Sequence, residues 1–192
     1  MTDTTMSAPA SRRGVPLWAQ ITIWVVLVGL LVLVAIALKR SQQGTVQPGD
    51  KIPDFSMPLF SGYEFNGNSQ VQLSGLRGKV VMINFWASWC KPCEQEAADL
   101  REAWAYYKDS GKVVFIGADY VDTEPQARAY LQKFNITYPN GPDLGTKVSQ
   151  LFRIKGVPET YFLDPQGVLR YVQVGPFSSV QDIKSVIDPM LP

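Results

Sequence analysis

Twenty-two consecutive residues, Leu17 to Leu38 (LWAQITIWVVLVGLLVLVAIAL), carry no charge, and Gln20 and Thr22 near the start are their only clearly polar side chains. At a helical rise of 1.5 Å, about 20 apolar residues cross the ~30 Å hydrocarbon layer, so the run predicts a transmembrane helix. A cleavable signal sequence has a shorter apolar core, roughly 7 to 15 residues. Ala35-Ile36-Ala37 has cleavage-like spacing but lies inside the run, with Lys39 and Arg40 after it, so a retained anchor is expected. The run divides the chain: residues 1–16 read as a disordered N-terminal segment, 17–38 as the membrane helix, 39–52 as a polar linker and 53–192 as one globular domain. Arg12 and Arg13 balance Lys39 and Arg40, so the positive-inside rule leaves the orientation open.

The remainder is large enough for one core: the chain has 192 residues, 46% of them apolar. With a net charge of +1 and no basic stretch interleaved with aromatics, the footprint of a nucleic-acid binder is missing. Histidine is absent altogether, which excludes imidazole bases, Ser-His and Cys-His nucleophile pairs and His-rich zinc or copper sites. Both cysteines, Cys90 and Cys93, stand in FWASWCKPCEQE, and Glu94 after Cys93 excludes a Cys-x-x-Cys-His haem attachment.

Beyond the linker, strand and helix patterns alternate. Asp54–Phe60 and Val71–Leu73 read as short extended pieces around the turn SGYEFNGN. KVVMINFWA (79–87) and KVVFIGAD (112–119) are continuous β-branched and aromatic runs, as expected of strands covered on both faces. A helix is predicted over 90–108, with Pro92, Glu94 and Glu96 in its first turns, a buried stripe of Leu100, Ala103, Trp104 and Tyr107, and Gly111 as its end. A second helix is expected over 124–134 with Ala127, Tyr130, Leu131 and Phe134 on one side, and a short one over 147–152. PETYFLD (158–164) and VLRYVQV (168–174) around Pro165-Gln166-Gly167 read as an antiparallel hairpin. Ser178 or Ser179 is expected to cap a last helix running to Met190. This order demands a mixed sheet with helices on both faces.

At a helix start, unpaired N–H groups carry about half a positive charge and favour a thiolate. Such settings move a thiol pKa from about 8.5 into the range of roughly 3.5 to 7.5. Cys90 is therefore the expected nucleophile. Cys93, nearly one turn further in, is expected to be more buried and close enough to resolve a mixed disulfide. Half a zinc site is disfavoured because no second ligand pair exists. A static bridge is disfavoured because a four-residue ring removes little chain entropy.

The stretches PDFSMPLFSG, LSGLRGKVVMINFWASWCKPCEQE, VVFIGADY and GVPETYFLD resemble the membrane-anchored TlpA/ResA/CcmG (DsbE) branch of the thioredoxin-like proteins, with redoxin or AhpC/TSA-type domains. The resemblance implies an α/β thioredoxin-like fold: a mixed central sheet, helices on both faces, an N-terminal extended hairpin, and one transmembrane helix ahead of it. It implies a thiol-disulfide oxidoreductase whose only redox group is the Cys90–Cys93 disulfide, with no metal. It also implies a cell-membrane location with the N-terminus in the cytoplasm and the domain outside. Expected partners are disulfide-containing exported proteins such as apocytochrome c, a membrane electron donor of the CcdA/DsbD kind, and the lipid bilayer around the N-terminal helix. Cys90 and Cys93 match the nucleophile and resolving cysteine, Pro158 the cis-proline and Glu96 a thiol-tuning glutamate. Trp89, Val157 and Glu159 are expected at the substrate surface, Glu159 by adding negative potential. Asn84 stands where cytoplasmic thioredoxin has an aspartate, which strengthens a role for Glu96.

Two other readings share the fold. A peroxiredoxin needs a Thr or Ser three residues before its cysteine, and Ala87 and Cys90 occupy those positions here. A Sco-type copper chaperone needs a third ligand, usually His, and a wider cysteine spacing.

Overall fold

A computed structural model of the protein describes residues 16–41 and 46–191. The expected disordered segment, apart from Pro16, and linker residues 42–45 lie outside the described residues. The chain forms two separate compact units, one up to Gln43 and one from Gly44 onward.

The first unit is helix α1, Leu17–Ser41. From Leu17 to Ile36 its Leu, Ile, Val and Trp side chains are exposed around the whole circumference, so the helix calls for an apolar surrounding rather than a groove. The stretch Leu17–Ile36 is long and apolar enough to cross a membrane. Thr22 satisfies its own hydroxyl by donating to the Ala19 carbonyl at 2.9 Å, which removes a polar cost in lipid.

The second unit holds a five-stranded sheet in the order β5-β4-β3-β6-β7. The strands are β3 (Val80–Trp86), β4 (Val113–Asp119), β5 (Asn140–Pro142), β6 (Glu159–Leu163) and β7 (Leu169–Val174). A separate antiparallel pair, β1 (Ser56–Pro58) and β2 (Gln70–Gln72), forms the expected N-terminal hairpin. β3 runs parallel to β4 and antiparallel to β6, so the sheet is mixed.

Alternation along the central strands splits the core in two. Val80, Met82 and Trp86 of β3, with Val113 and Phe115 of β4, meet α2 (Lys91–Tyr107), α3 (Glu124–Lys133) and α5 (Val180–Ile187) on one face. Val81, Ile83 and Phe85 meet the hairpin and α4 (Lys147–Phe152) on the other. The chain steps from β3 to β4 to β5 in one direction, and right-handed crossovers then place α2 and α3 on the same face. Ser179, not Ser178, caps α5 by accepting from the Asp182 amide at 3.2 Å.

Three expectations are corrected. The linker is shorter than 39–52: α1 continues through Ser41, and the chain joins the sheet before residue 53. Gly49 donates to the Leu169 carbonyl at 2.7 Å, Leu169 donates to Asp50 at 2.9 Å, and Ile52 is buried. Helix α2 starts at Lys91 because Cys90 has extended backbone angles. Strand β5 has no counterpart in the sequence reading, since YPNGPD has turn composition. It pairs because it lies at an edge, where Pro142 need not donate to a neighbour.

Close approach explains its two neighbouring glycines. A Cβ at Gly141 would overlap the Pro58 carbonyl, and one at Gly117 would overlap Asn140 Oδ1. That oxygen accepts the Trp86 indole hydrogen bond at 2.9 Å. Gly117→Ala is therefore expected to destabilise the domain by about 1–3 kcal/mol, measured as a lower urea midpoint of the full chain in detergent.

Candidate active site

β3 ends at Trp86, and Ala87-Ser88-Trp89 turns the chain into α2. Cys90 is the residue that caps this helix: its sulfur accepts the Cys93 amide at 3.1 Å. Pro92 fits the first turn, where a missing N–H costs nothing. Cys90 and Cys93 form a disulfide, with Cα atoms 5.3 Å apart. Both are buried in this closed state, Cys90 at 3% and Cys93 at 1% exposure, so the expected contrast between them is small.

The loop carrying Cys90 is fastened from the β4–α3 connection. Tyr120 N donates to the Trp86 carbonyl at 2.8 Å, Trp89 Nε1 to the Val121 carbonyl at 3.1 Å, and Ser88 N to Asp122 Oδ2 at 2.6 Å. Trp89 nevertheless leaves 58% of its surface exposed. From below, Tyr130 stacks on Trp86 with ring centroids 4.5 Å apart and donates its hydroxyl to the Cys93 carbonyl at 2.8 Å. The sequence shows Tyr130 only as part of an apolar stripe, and its polar role has no signal there.

Glu96 lies one turn beyond Cys93 and is fully buried. It accepts hydrogen bonds from Asn84 Nδ2 at 2.8 Å and from the Phe177 amide at 3.0 Å. Asn84 reaches Glu96 because strand alternation aims it at α2, and it also donates to Thr160 Oγ1 on the neighbouring strand at 2.9 Å. Burial pushes the Glu96 carboxyl up to about 7, against the lowering effect of the Phe177 and Asn84 hydrogen bonds. Glu96 therefore does not sit at the solvated surface of the first turn. Glu94 fills that surface position, pairing with Lys91 at 3.3 Å and Lys133 at 3.2 Å.

Pro158 is buried, and its peptide bond with Val157 is cis. Pro92, Val157, Pro158, Val174 and Pro176 line one open groove beside the cysteine loop. Glu159 lines the same groove but is tied inward. It is 3% exposed, accepts from the Lys155 and Gly156 amides at 2.8 and 3.2 Å, and accepts the Tyr161 hydroxyl at 2.6 Å. It sits on the sheet face opposite α2 and holds the loop before Pro158 in place, while also lining the groove beside Pro158. Among the described residues, no group of three or more His, Cys, Asp or Glu side chains is placed to hold a metal ion.

Residues 48–172 match the AhpC/TSA family. The chain is 33% identical over 155 residues to the thiol-disulfide oxidoreductase ResA of Oceanobacillus iheyensis, covering 80% of this chain and 79% of that protein. It is also 33% identical over 131 residues to the thioredoxin-like protein YneN of Bacillus subtilis, covering 68% and 73%. A Chlorobium tepidum crystal structure, described as a candidate thiol:disulfide interchange protein DsbE, superposes with a TM-score of 0.68. It shares 26% identity and covers 77% of this chain and 100% of its own. With the Cys90–Cys93 disulfide at the start of α2, these likenesses establish that the chain belongs to the AhpC/TSA family and, within it, to the TlpA/ResA/CcmG thiol-disulfide oxidoreductases.

Proposed function

We propose that the protein is a membrane-tethered reductant of disulfides in exported proteins, apocytochrome c among them, with its N-terminus in the cytoplasm and its domain outside. The observation that carries this reading is a disulfide formed by the cap residue of a helix beside an open apolar groove. The outward orientation is supported by the resemblance to the membrane-anchored TlpA/ResA/CcmG branch. The name of the ResA relatives supports thiol-disulfide exchange, and the resemblance to the TlpA/ResA/CcmG branch supports apocytochrome c as a partner.

In the reduced enzyme, the Cys90 thiolate attacks one sulfur of the partner's disulfide. That S–S bond breaks, a Cys90–partner bond forms, and the partner's first sulfur leaves as a thiolate that takes up a proton. Cys93 then passes its proton to Glu96 and attacks the Cys90 sulfur, releasing the partner's second thiolate. Two electrons reach the partner, and Cys90–Cys93 returns to the disulfide. A membrane dithiol donor of the CcdA/DsbD kind restores the thiols. Trp89 and Val157 contact the partner, and Pro158 closes the groove wall.

A group poised near 7 is suited to taking up a proton at neutral pH. The same poise affects stability. Because the carboxyl rises from 4.5 unfolded to about 7 folded, its favourable contribution is complete below pH 4.5 and is lost as pH rises through 7. Glu96→Gln should remove up to roughly 3 kcal/mol of that decline, read by urea unfolding of both proteins at pH 4 and pH 8.

The reaction order is tested by trapping. Cys90→Ser should abolish reduction of a peptide bearing a Cys-x-x-Cys disulfide, whereas Cys93→Ser should accumulate a covalent enzyme–peptide disulfide visible by mass spectrometry. Full activity in Cys90→Ser would refute the assigned roles.

A further inference from the structure

Asp119 ends β4, directly across from Trp86 at the end of β3. Strand alternation places it on the face of Val113 and Phe115, the face covered by α2 and α3. It is 3% exposed, and its Oδ1 has no hydrogen-bond partner. Its carboxyl lies within reach of that of Asp122, three residues on. Asp122 in turn accepts the Ser88 amide at 2.6 Å and the Thr123 amide at 2.7 Å. Ser88 stands two residues before Cys90.

We propose that Asp119 and Asp122 share one proton and that this sharing positions the loop carrying Cys90. Two carboxyl groups this close cannot both ionise cheaply. Asp122 accepts one amide at each of its oxygens. Asp119 has a buried oxygen with nothing to stabilise it, and an unpaired buried charge there would be costly. The proton therefore stays on Asp119, which donates to Asp122 and leaves Asp122 free to hold Ser88. Burial first, and the Asp122 and Asp143 charges after it, push Asp119 up to about 8. Asp143 is itself occupied, capping α4 through the Val148 and Ser149 amides at 2.8 and 2.9 Å. Directly across on β3 stands Trp86, whose indole N–H is taken by Asn140 Oδ1 and whose ring stacks on Tyr130 of α3.

When Asp119 loses its proton, two anions face each other and Asp122 is pushed off Ser88. The clasp on the Cys90 loop then slackens, leaving the Tyr120–Trp86 and Trp89–Val121 contacts to hold it. Asp119 thus acts as a positioning residue for thiol-disulfide exchange, rather than touching the sulfurs.

This inference rests on the exchange reaction proposed above, so its test has one arm that does not. In the first arm, reduction of the Cys-x-x-Cys disulfide peptide is followed from pH 6 to pH 9 for the full chain and for Asp119→Asn, both in detergent micelles. Asparagine keeps a donor to Asp122 and cannot titrate. Dividing the two rates cancels the thiol's own pH dependence. The ratio of native to variant should be flat below pH 7 and fall by about tenfold between pH 7 and pH 9, as for a group titrating near 8. In the second arm, the Ser88 amide chemical shift is recorded by NMR over the same range. It should titrate near pH 8 in the native chain and stay constant in Asp119→Asn. Should that variant fail to fold, the native Ser88 titration alone decides. A flat rate ratio in an active enzyme, or a Ser88 shift independent of pH, would overturn the proposal. An inactive native enzyme with a titrating Ser88 amide would instead sink the exchange reading and leave the proton sharing standing.

Discussion

The sulfur of Cys90 accepts the amide of Cys93 at 3.1 Å, where most helices place a serine, threonine or aspartate oxygen. Because the cap is a cysteine, the group that ends the helix electrostatically is also the group that reacts. The remaining features of the domain serve to keep that arrangement in place. β3 brings the chain up the centre of the sheet, Pro92 secures the first turn, and Tyr130 holds the Cys93 carbonyl from beneath. Trp86, which precedes the loop, is held by stacking on Tyr130 and by its hydrogen bond to Asn140 at the sheet edge.

A line of buried polar groups runs under this helix start, from Thr160 through Asn84 to Glu96 and the Phe177 amide. Burying a carboxyl is costly unless donors meet it or it takes a proton. Here both occur in part, which leaves Glu96 near the middle of its titration at neutral pH. Asn84 contributes donors without a charge of its own, so the line holds one carboxyl rather than two. Phe177, distant in sequence, completes it and ties the segment before α5 to the active-site helix.

The sheet and its helices were legible where hydrophobic period and caps agreed. β3 and β4 announce themselves as continuous apolar runs, and the cysteine pair follows from its spacing and from the absence of histidine. What escaped has physical reasons. β5 is held by edge pairing and by glycines that admit close backbone contact, features that turn-like composition conceals. Glu159 was expected at the substrate surface from the resemblance, and no local pattern shows the three donors that meet its buried carboxyl. The contacts of Tyr130 and Asp122 depend on tertiary neighbours that no local pattern encodes. The anchor's length was readable, and α1 extends it into basic residues that composition alone had assigned to a linker.

The claim that a helix cap doubles as a reversible redox group is tested most directly by reducing the full chain with dithiothreitol and mapping its alkylation by iodoacetamide, with far-ultraviolet circular dichroism recorded in parallel. The account predicts an unchanged spectrum, with Cys90 modified first and Cys93 protected. Loss of the folded spectrum on reduction, or a folded protein in which neither thiol can be modified, would contradict it.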